Sequence, residues 1–119
     1  MKRTIIAAVL ILLGANQANA FCRVPKFYFH LGSDVSVSMI ISNGGKCSVG
    51  ANAGGSRSYD GIVLTRQPAH GTLLVKGKSG VLYILSNGYR GTDSFTYRLN
   101  GHDGTSPASS NFDVSVTAN

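Results

Sequence analysis

The sequence contains no glutamate, and five aspartates carry all of its negative side-chain charge, against eleven lysines and arginines in 119 residues. The chain therefore has few carboxylates that could form the catalytic pair of a glycosidase. Nucleophilic catalysis needs a base beside a nucleophile, but the chain has no G-x-S-x-G motif, and His30, His70 and His102 are far apart in sequence. These absences predict a protein that is not an enzyme.

Long apolar runs are also missing, apart from one at the N-terminus. Met1–Thr4 is short and positive, Ile5–Gly14 is apolar, and Ala18–Ala20 consists of small residues around a polar one. A membrane-spanning helix needs about 20 apolar residues, roughly twice the length of this run. The order of a charged start, an apolar core and a small-residue end is typical of a cleavable signal peptide, which we place over 1–20.

A lipoprotein anchor is disfavoured because Phe21 separates the expected cleavage site from Cys22. Cleavage after Ala20 leaves a mature domain over 21–119, without a membrane span, in the periplasm or outside the cell. This domain keeps nine basic residues and five aspartates, hence a net charge of +4. The low charge and fifteen glycines favour strands and turns over helices.

Both cysteines of the chain, Cys22 and Cys47, lie in the mature domain. In an oxidising compartment, two thiols in one small domain usually pair. A redox-active pair is the alternative, and the absence of a C-x-x-C motif disfavours it. We therefore expect a Cys22–Cys47 disulfide, which would stabilise the domain by about 3–4 kcal/mol in the chain-entropy model.

Apolar and polar residues alternate along most of the mature domain, which is the period of a strand with one buried face. Turn-forming residues separate these runs, and Lys76–Gly80 predicts a hairpin loop. The segments 50–56 and 100–111 indicate a mobile loop and a long polar loop. About seven strands spaced in this way predict an all-β, two-layer sandwich. The predicted strands include 27–31, 35–42, 72–75, 81–85, 94–99 and 112–117.

The second half of the mature domain carries an ordered set of motifs: PAHGTL at 68–73, a strand with Tyr83, GYRGTDSFTY at 88–97, and Asp103-Gly104. This succession resembles the bacterial Ig-like, cadherin-like repeat that occurs in tandem in large surface and secreted proteins. The resemblance implies an Ig-like β-sandwich. Here a single set of motifs follows a signal peptide, which indicates a stand-alone exported module.

Five motif residues are expected to act in folding: Gly71, Gly91, Asp93, Phe95 and Tyr97. Gly91 can adopt a positive φ in its turn without steric cost, and Asp93 can accept backbone N–H bonds there. Phe95 and Tyr97 share one face of a strand. Tyr97 could bury its ring and bond its hydroxyl to backbone, as in the tyrosine corner of Ig sandwiches.

No metal, cofactor or nucleic acid is expected. Zinc would need clustered histidines and cysteines, which this chain does not have. Asn100, Asp103 and Asp93 are the plausible oxygen cluster for calcium, but without glutamate the chain lacks the bidentate ligand that calcium loops commonly use. The basic residues are scattered along the chain, whereas a nucleic-acid site would group them with stacking aromatics. Their positive charge favours solubility, and could attract anionic lipid headgroups or polysaccharide.

The sequence thus predicts a small exported binding or structural module that contacts a protein or carbohydrate partner at the cell envelope. Contact would use loops at one end of the sandwich or an exposed strand edge. The alternative is an accessory or inhibitor protein that modulates an exported enzyme or an envelope complex. The identity of the partner and the oligomeric state stay open at this level.

Overall fold

The computed structural model describes residues 20–52 and 55–119, and this part of the chain contains eight strands and no helix. Residues 1–19, and with them nearly all of the predicted signal peptide, lie outside the described residues, as do residues 53 and 54 of the predicted 50–56 loop. The described residues thus contain no helix that is long and apolar enough to cross a membrane. The strands are β1 (Phe21–Arg23), β2 (Val35–Ser42), β3 (Lys46–Gly50), β4 (Arg57–Arg66), β5 (Gly71–Lys76), β6 (Gly80–Leu85), β7 (Gly91–Asp103) and β8 (Ser106–Ala118).

These strands form two sheets, one of five strands in the order β1-β2-β8-β7-β4 and one of three strands in the order β3-β6-β5. Strands β2 and β8 pair in parallel, and the other pairs are antiparallel. The predicted all-β, Ig-like sandwich is confirmed, with eight strands in the described part of the chain where about seven were expected. The predicted hairpin at Lys76–Gly80 joins β5 to β6.

The core lies between the sheets and is built from the apolar side of each alternating run. On β2, Val35, Val37, Met39 and Ile41 are buried, while the intervening serines Ser36 and Ser38 face solvent. The same alternation buries one side of the central strands β7 and β8. Their buried apolar residues are Phe95, Tyr97, Leu99, Phe112, Val114, Val116 and Ala118.

The predicted polar loop over 100–111 is wrong, because these residues form the tip of a long hairpin between β7 and β8. Gly104 and Thr105 alone separate the two strands, and Gly104 makes the turn with a φ of 65°. The side chains of Ser109 and Asn100 bond across the strands, with 2.8 Å between Oγ and Oδ1. Polar residues can form strands here because their side chains bond to each other across the hairpin. The polar composition therefore predicted a loop where the backbone is paired.

The predicted strand at 27–31 is also wrong. An irregular segment, Val24–Leu31, which we call the strap, leaves β1 and crosses the edge of the sandwich without joining a sheet. Phe27 and Phe29 are half-buried, and their rings contact the buried ring of Phe112 with centroids 6.1 and 5.2 Å away. The alternation of apolar residues correctly predicted that one side of this segment is buried. It wrongly predicted a strand, because two rings can pack against the core without backbone pairing to a neighbouring strand.

The predicted disulfide is confirmed. Cys22 lies on β1, at one edge of the five-stranded sheet, and bonds to Cys47 on β3, at one edge of the three-stranded sheet, with their Cα atoms 5.3 Å apart. Cys47 is buried, with 2% of its surface exposed. The bond therefore joins the two sheets along one side of the sandwich, immediately before the strap begins.

We predict that the double variant Cys22→Ala/Cys47→Ala unfolds with a free energy about 2–4 kcal/mol lower than the parent, because the unfolded chain regains the entropy of a closed loop. Urea denaturation of the two proteins, each purified after oxidation, measures this difference. Reducing agent should lower the midpoint of the parent and leave that of the variant unchanged. Equal stability of variant and parent would contradict the prediction.

Candidate functional site

The carboxylate of Asp93 joins three separate parts of the sandwich. It accepts hydrogen bonds from the backbone N–H groups of Ala69, His70 and Ser94, each at 2.9 Å, and from the Tyr83 hydroxyl at 2.7 Å. Asp93 is on β7, Tyr83 is on β6 of the other sheet, and Ala69 and His70 form the turn between β4 and β5. The carboxylate therefore fixes the crossing of the chain from one sheet to the other.

The charge state of this group follows from the same contacts. Partial burial of the carboxyl opposes its ionisation, but bonds from the Tyr83 hydroxyl and three backbone N–H groups outweigh that effect, so the pKa of Asp93 lies below its ordinary value. The pKa of the Tyr83 phenol is raised, mainly by burial and also by the hydrogen bond to Asp93. At neutral pH a neutral phenol thus donates to an ionised carboxylate, which is the stronger kind of hydrogen bond.

Two motif glycines make room for tyrosine rings. A Cβ atom on Gly71 would lie 2.6 Å from Cζ of Tyr83, so this ring can lie against the backbone only where the side chain is absent. Gly91 has a φ of 135°, a conformation that favours glycine, and a Cβ there would meet the hydroxyl of Tyr89 at 2.9 Å. That hydroxyl donates to the Thr92 carbonyl at 2.7 Å.

Phe95 and Tyr97 belong to a row of aromatic rings through the core. Ring centroids lie 5.6 Å apart for Tyr83 and Phe95, 6.3 Å for Phe95 and Tyr97, and 4.7 Å for Tyr97 and Phe112. The expected backbone bond of the Tyr97 hydroxyl is not formed, because this oxygen is buried without a hydrogen-bond partner among the described residues. Burial raises the pKa of this phenol. Within this row of rings, the hydroxyl that is hydrogen-bonded is that of Tyr83.

The three oxygen-bearing residues considered for calcium are not brought together. Asp93 and Asp103 are ten residues apart on β7, hence about 33 Å at the rise of a strand. Asp103 accepts a bond from the Ser56 hydroxyl, and Asn100 bonds to Ser109. Within the described part of the chain, no three acidic, histidine or cysteine side chains group as metal ligands would.

A groove of about 420 Å³ lies between the strap and the end of β3. One wall is the first part of the strap, Val24–Phe29, and the other is Ser48–Asn52, with Arg57 of β4 at the end. Because its residues come from both sheets and from the irregular strap, no local sequence pattern brings them together.

Both walls of the groove are fixed by contacts. The strap begins just after the disulfide, and two of its phenylalanine rings pack against Phe112. Near its end, the His30 carbonyl accepts a hydrogen bond from the Ser110 hydroxyl at 3.3 Å. In the opposite wall, the Tyr59 hydroxyl donates to the Asn52 carbonyl and the Ser79 hydroxyl donates to the Ala51 carbonyl, each at 2.9 Å. The groove is therefore held in shape in the free protein.

The chemical character of the groove comes from one exposed ring and two cations. Tyr28 points away from the core, with 83% of its surface exposed, although its two neighbours in the strap are partly buried. Lys26 Nζ lies 5.8 Å from the centroid of that ring, and the Arg57 guanidinium lies 5.9 Å from the centroid of Phe29. The described residues that line the groove include no carboxylate.

Sequence reasoning missed this site because Lys26 and Arg57 were counted among scattered charges and 24–31 was assigned in part to a strand. One signal was present: the alternation of Tyr28 with Phe27 and Phe29 predicts that Tyr28 faces away from the side that the two phenylalanines bury. An exposed tyrosine between two half-buried phenylalanines is a feature that surface charge and solubility do not explain.

A family model described as bacterial Ig domain matches residues 32–117. The chain belongs to this family. No curated protein matches the chain. The matched region includes the wall of the groove formed by 48–52 and Arg57, whereas Cys22 and the whole strap precede it. Domains of this family are generally non-catalytic modules.

Two core tyrosines of this Ig domain, Tyr83 and Tyr97, predict opposite outcomes for the same substitution. Tyr83→Phe should lower the free energy of unfolding by about 1–3 kcal/mol, because a bond to a charged group is lost and Asp93 keeps one acceptor position unfilled. Tyr97→Phe removes a buried hydroxyl that has no partner, so stability should be unchanged or higher by up to about 1 kcal/mol. Urea denaturation of both variants tests this, and equal losses would contradict it.

Proposed function

We propose that the chain is the precursor of an exported binding module that contacts a polysaccharide or protein partner at the cell envelope. In this proposal, residues 1–20 are a signal peptide, residues 21–119 are the working domain, and the groove beneath the strap is the contact surface. The bacterial Ig fold and the disulfide are consistent with a periplasmic or extracellular location. No catalytic role, cofactor or metal forms part of the proposal.

The observation that carries the proposal is the exposed ring of Tyr28 beside Lys26. An apolar ring held in water by a rigid segment is a surface against which the flat apolar face of a sugar can lie. Lys26 and Arg57 provide positive charge on the groove, and its other described lining residues carry no charge. These features favour a polysaccharide that carries acidic groups over a neutral one.

We predict that the mature domain binds polygalacturonate, as a probe of acidic polysaccharides, more tightly than dextran, and that Tyr28→Ala weakens this binding about tenfold. Loss of one ring contact of roughly 1.4 kcal/mol corresponds to that factor. Isothermal titration calorimetry measures both affinities. Because Tyr28 is largely exposed, its removal should leave the thermal midpoint unchanged.

The matched controls are Lys26→Gln in the groove and Arg90→Gln in the turn between β6 and β7, which remove the same charge at two exposed positions. Binding in the groove predicts that only the first substitution weakens the affinity beyond the small effect of net charge. Equal losses would mean that polygalacturonate meets the basic surface as a whole, and would refute the groove as its site. Tight binding of one stoichiometric protein in place of polysaccharide would favour the accessory or inhibitor role.

Export is tested separately. The small-residue pattern Ala18–Ala20 predicts cleavage after Ala20, so N-terminal sequencing of the protein recovered from outside the inner membrane should begin at Phe21. Substitution of Ala18 and Ala20 by bulky residues should leave the precursor uncleaved. An intact N-terminus on the exported native chain would show that this part of the proposal is wrong.

A further inference from the structure

In the part of the chain that the structure describes, strand β5 is a sheet edge without the usual protection against pairing with another chain. The four edge strands of the two sheets are β1, β4, β3 and β5. Natural sheets protect such edges by short length, bulges, charges or covering segments. Strand β1 has three residues, β4 contains two register shifts and several charged residues, and β3 is tied by the disulfide and flanked by the groove. Strand β5 pairs with β6 through six residues without interruption, and its one charge is Lys76 at the end.

The outward-pointing backbone groups of β5 can be assigned from one bond. The Ser86 N–H donates to the His70 carbonyl at 2.9 Å, which makes His70 and Ser86 a hydrogen-bonded pair just before β5. Because such pairs alternate in an antiparallel ladder, Thr72 and Leu74 bond to β6. Leu73 and Val75 therefore direct their N–H and C=O groups towards the open edge.

The side chains at this edge are apolar and exposed. Leu74 is 48% exposed and lies opposite the half-buried Leu82 of β6, on the outer face of the three-stranded sheet. Val75 is 43% exposed although it shares the inner side with the buried Leu73. The edge thus offers both unpaired backbone groups and apolar surface that another strand would cover.

We infer that two copies of this chain associate through β5, antiparallel, with Leu74 of one copy opposite Leu74 of the other. In this register Leu73 lies opposite Val75 of the second copy, so the backbone groups that face the open edge bond to each other and the exposed valine is covered. On the outer face, the two copies of Leu74 and the two copies of Leu82 form one continuous apolar row. The strand is its own complement, as a two-fold symmetric interface requires.

Charge favours this orientation of the second copy. Antiparallel pairing about Leu74 places Lys76 opposite Thr72 of the second copy, so the two lysines are about four residues, or 14 Å, apart. That distance exceeds the screening length of about 8 Å at physiological ionic strength. Parallel pairing would place the two Lys76 side chains next to each other.

The dimer would form one six-stranded sheet in the order β3-β6-β5-β5-β6-β3. Since β3 bears one wall of the groove, the two grooves would lie at the outer edges, about 24 Å apart at the usual spacing between strands. Pairing would leave both grooves open and would allow one polymer to meet two of them. The dimer itself does not depend on what the groove binds.

Sedimentation velocity of the mature, exported protein over a range of concentrations tests the inference. We expect a reversible monomer–dimer equilibrium. Leu74→Lys, which sets two like charges against each other, should raise the dissociation constant at least about tenfold. The matched control is Val63→Lys on edge strand β4, which is exposed to the same degree at 49% and should leave the equilibrium unchanged. Val75→Pro removes one outward N–H and should also weaken the dimer.

The register is tested by mixing Leu74→Lys with Leu74→Glu. Each variant alone should be monomeric, and the mixture should form a dimer containing one copy of each, because only this register places position 74 opposite itself. A parent that stays monomeric at every concentration, an equal effect of Val63→Lys, or a mixture that stays monomeric would each overturn the inference. Circular dichroism and thermal unfolding of every variant establish that it is folded.

Discussion

The carboxylate of Asp93 holds together segments that are distant in sequence and belong to different layers. It lies on β7 of the five-stranded sheet, receives the Tyr83 hydroxyl from the three-stranded sheet, and receives two N–H groups from the turn in which the chain crosses between them. Around this point the rings of Tyr83, Phe95 and Tyr97 continue the core. An ionised group can be kept in such a place because its bonds offset the cost of partial burial.

A second constraint, independent of that core, shapes the candidate site. The strap is not part of either sheet, and its position depends on the Cys22–Cys47 bond at one end and on Phe27 and Phe29 at the other. It lies entirely outside the region that matches the bacterial Ig domain family. The proposed binding surface is thus an addition to a widely used sandwich, which is how one fold serves different functions.

The two edge strands of the three-stranded sheet, β3 and β5, differ in what covers them. At β3, the disulfide and the strap lie along the edge, and hydrogen bonds hold the other wall of the groove. At β5, six residues pair on one side only, and Leu74 and Val75 expose apolar surface with no described segment covering it. A module with a groove at one edge and an adhesive strand at the other would combine ligand contact with self-association, and each property could be altered without disturbing the other.

Much of the fold could be predicted from local pattern. The alternation over 35–42 and 112–117 reports which side of a strand is buried, and Lys76–Gly80 has the composition of a hairpin loop, because strand period and turn chemistry are properties of neighbouring residues. Two cysteines behind an expected export signal were enough to predict their bond. The motif of 68–97 indicated the family, and its residues have structural roles: its glycines leave room for two tyrosine rings, and its aspartate fixes the turn before β5.

Sequence by itself therefore determined the class of the domain, its strand-and-turn character and its disulfide. Tertiary structure alone decided that 27–31 is a strap and that 100–111 is paired backbone, because a residue's partners across the sandwich are not encoded in its neighbours. It also decided which tyrosine is anchored: Tyr83 and Tyr97 both sit in apolar strands, and only Tyr83 ends beside a carboxylate. The candidate site arises in the same way, because long-range packing brings the strap, with Lys26 and Tyr28, against Arg57 at the start of β4.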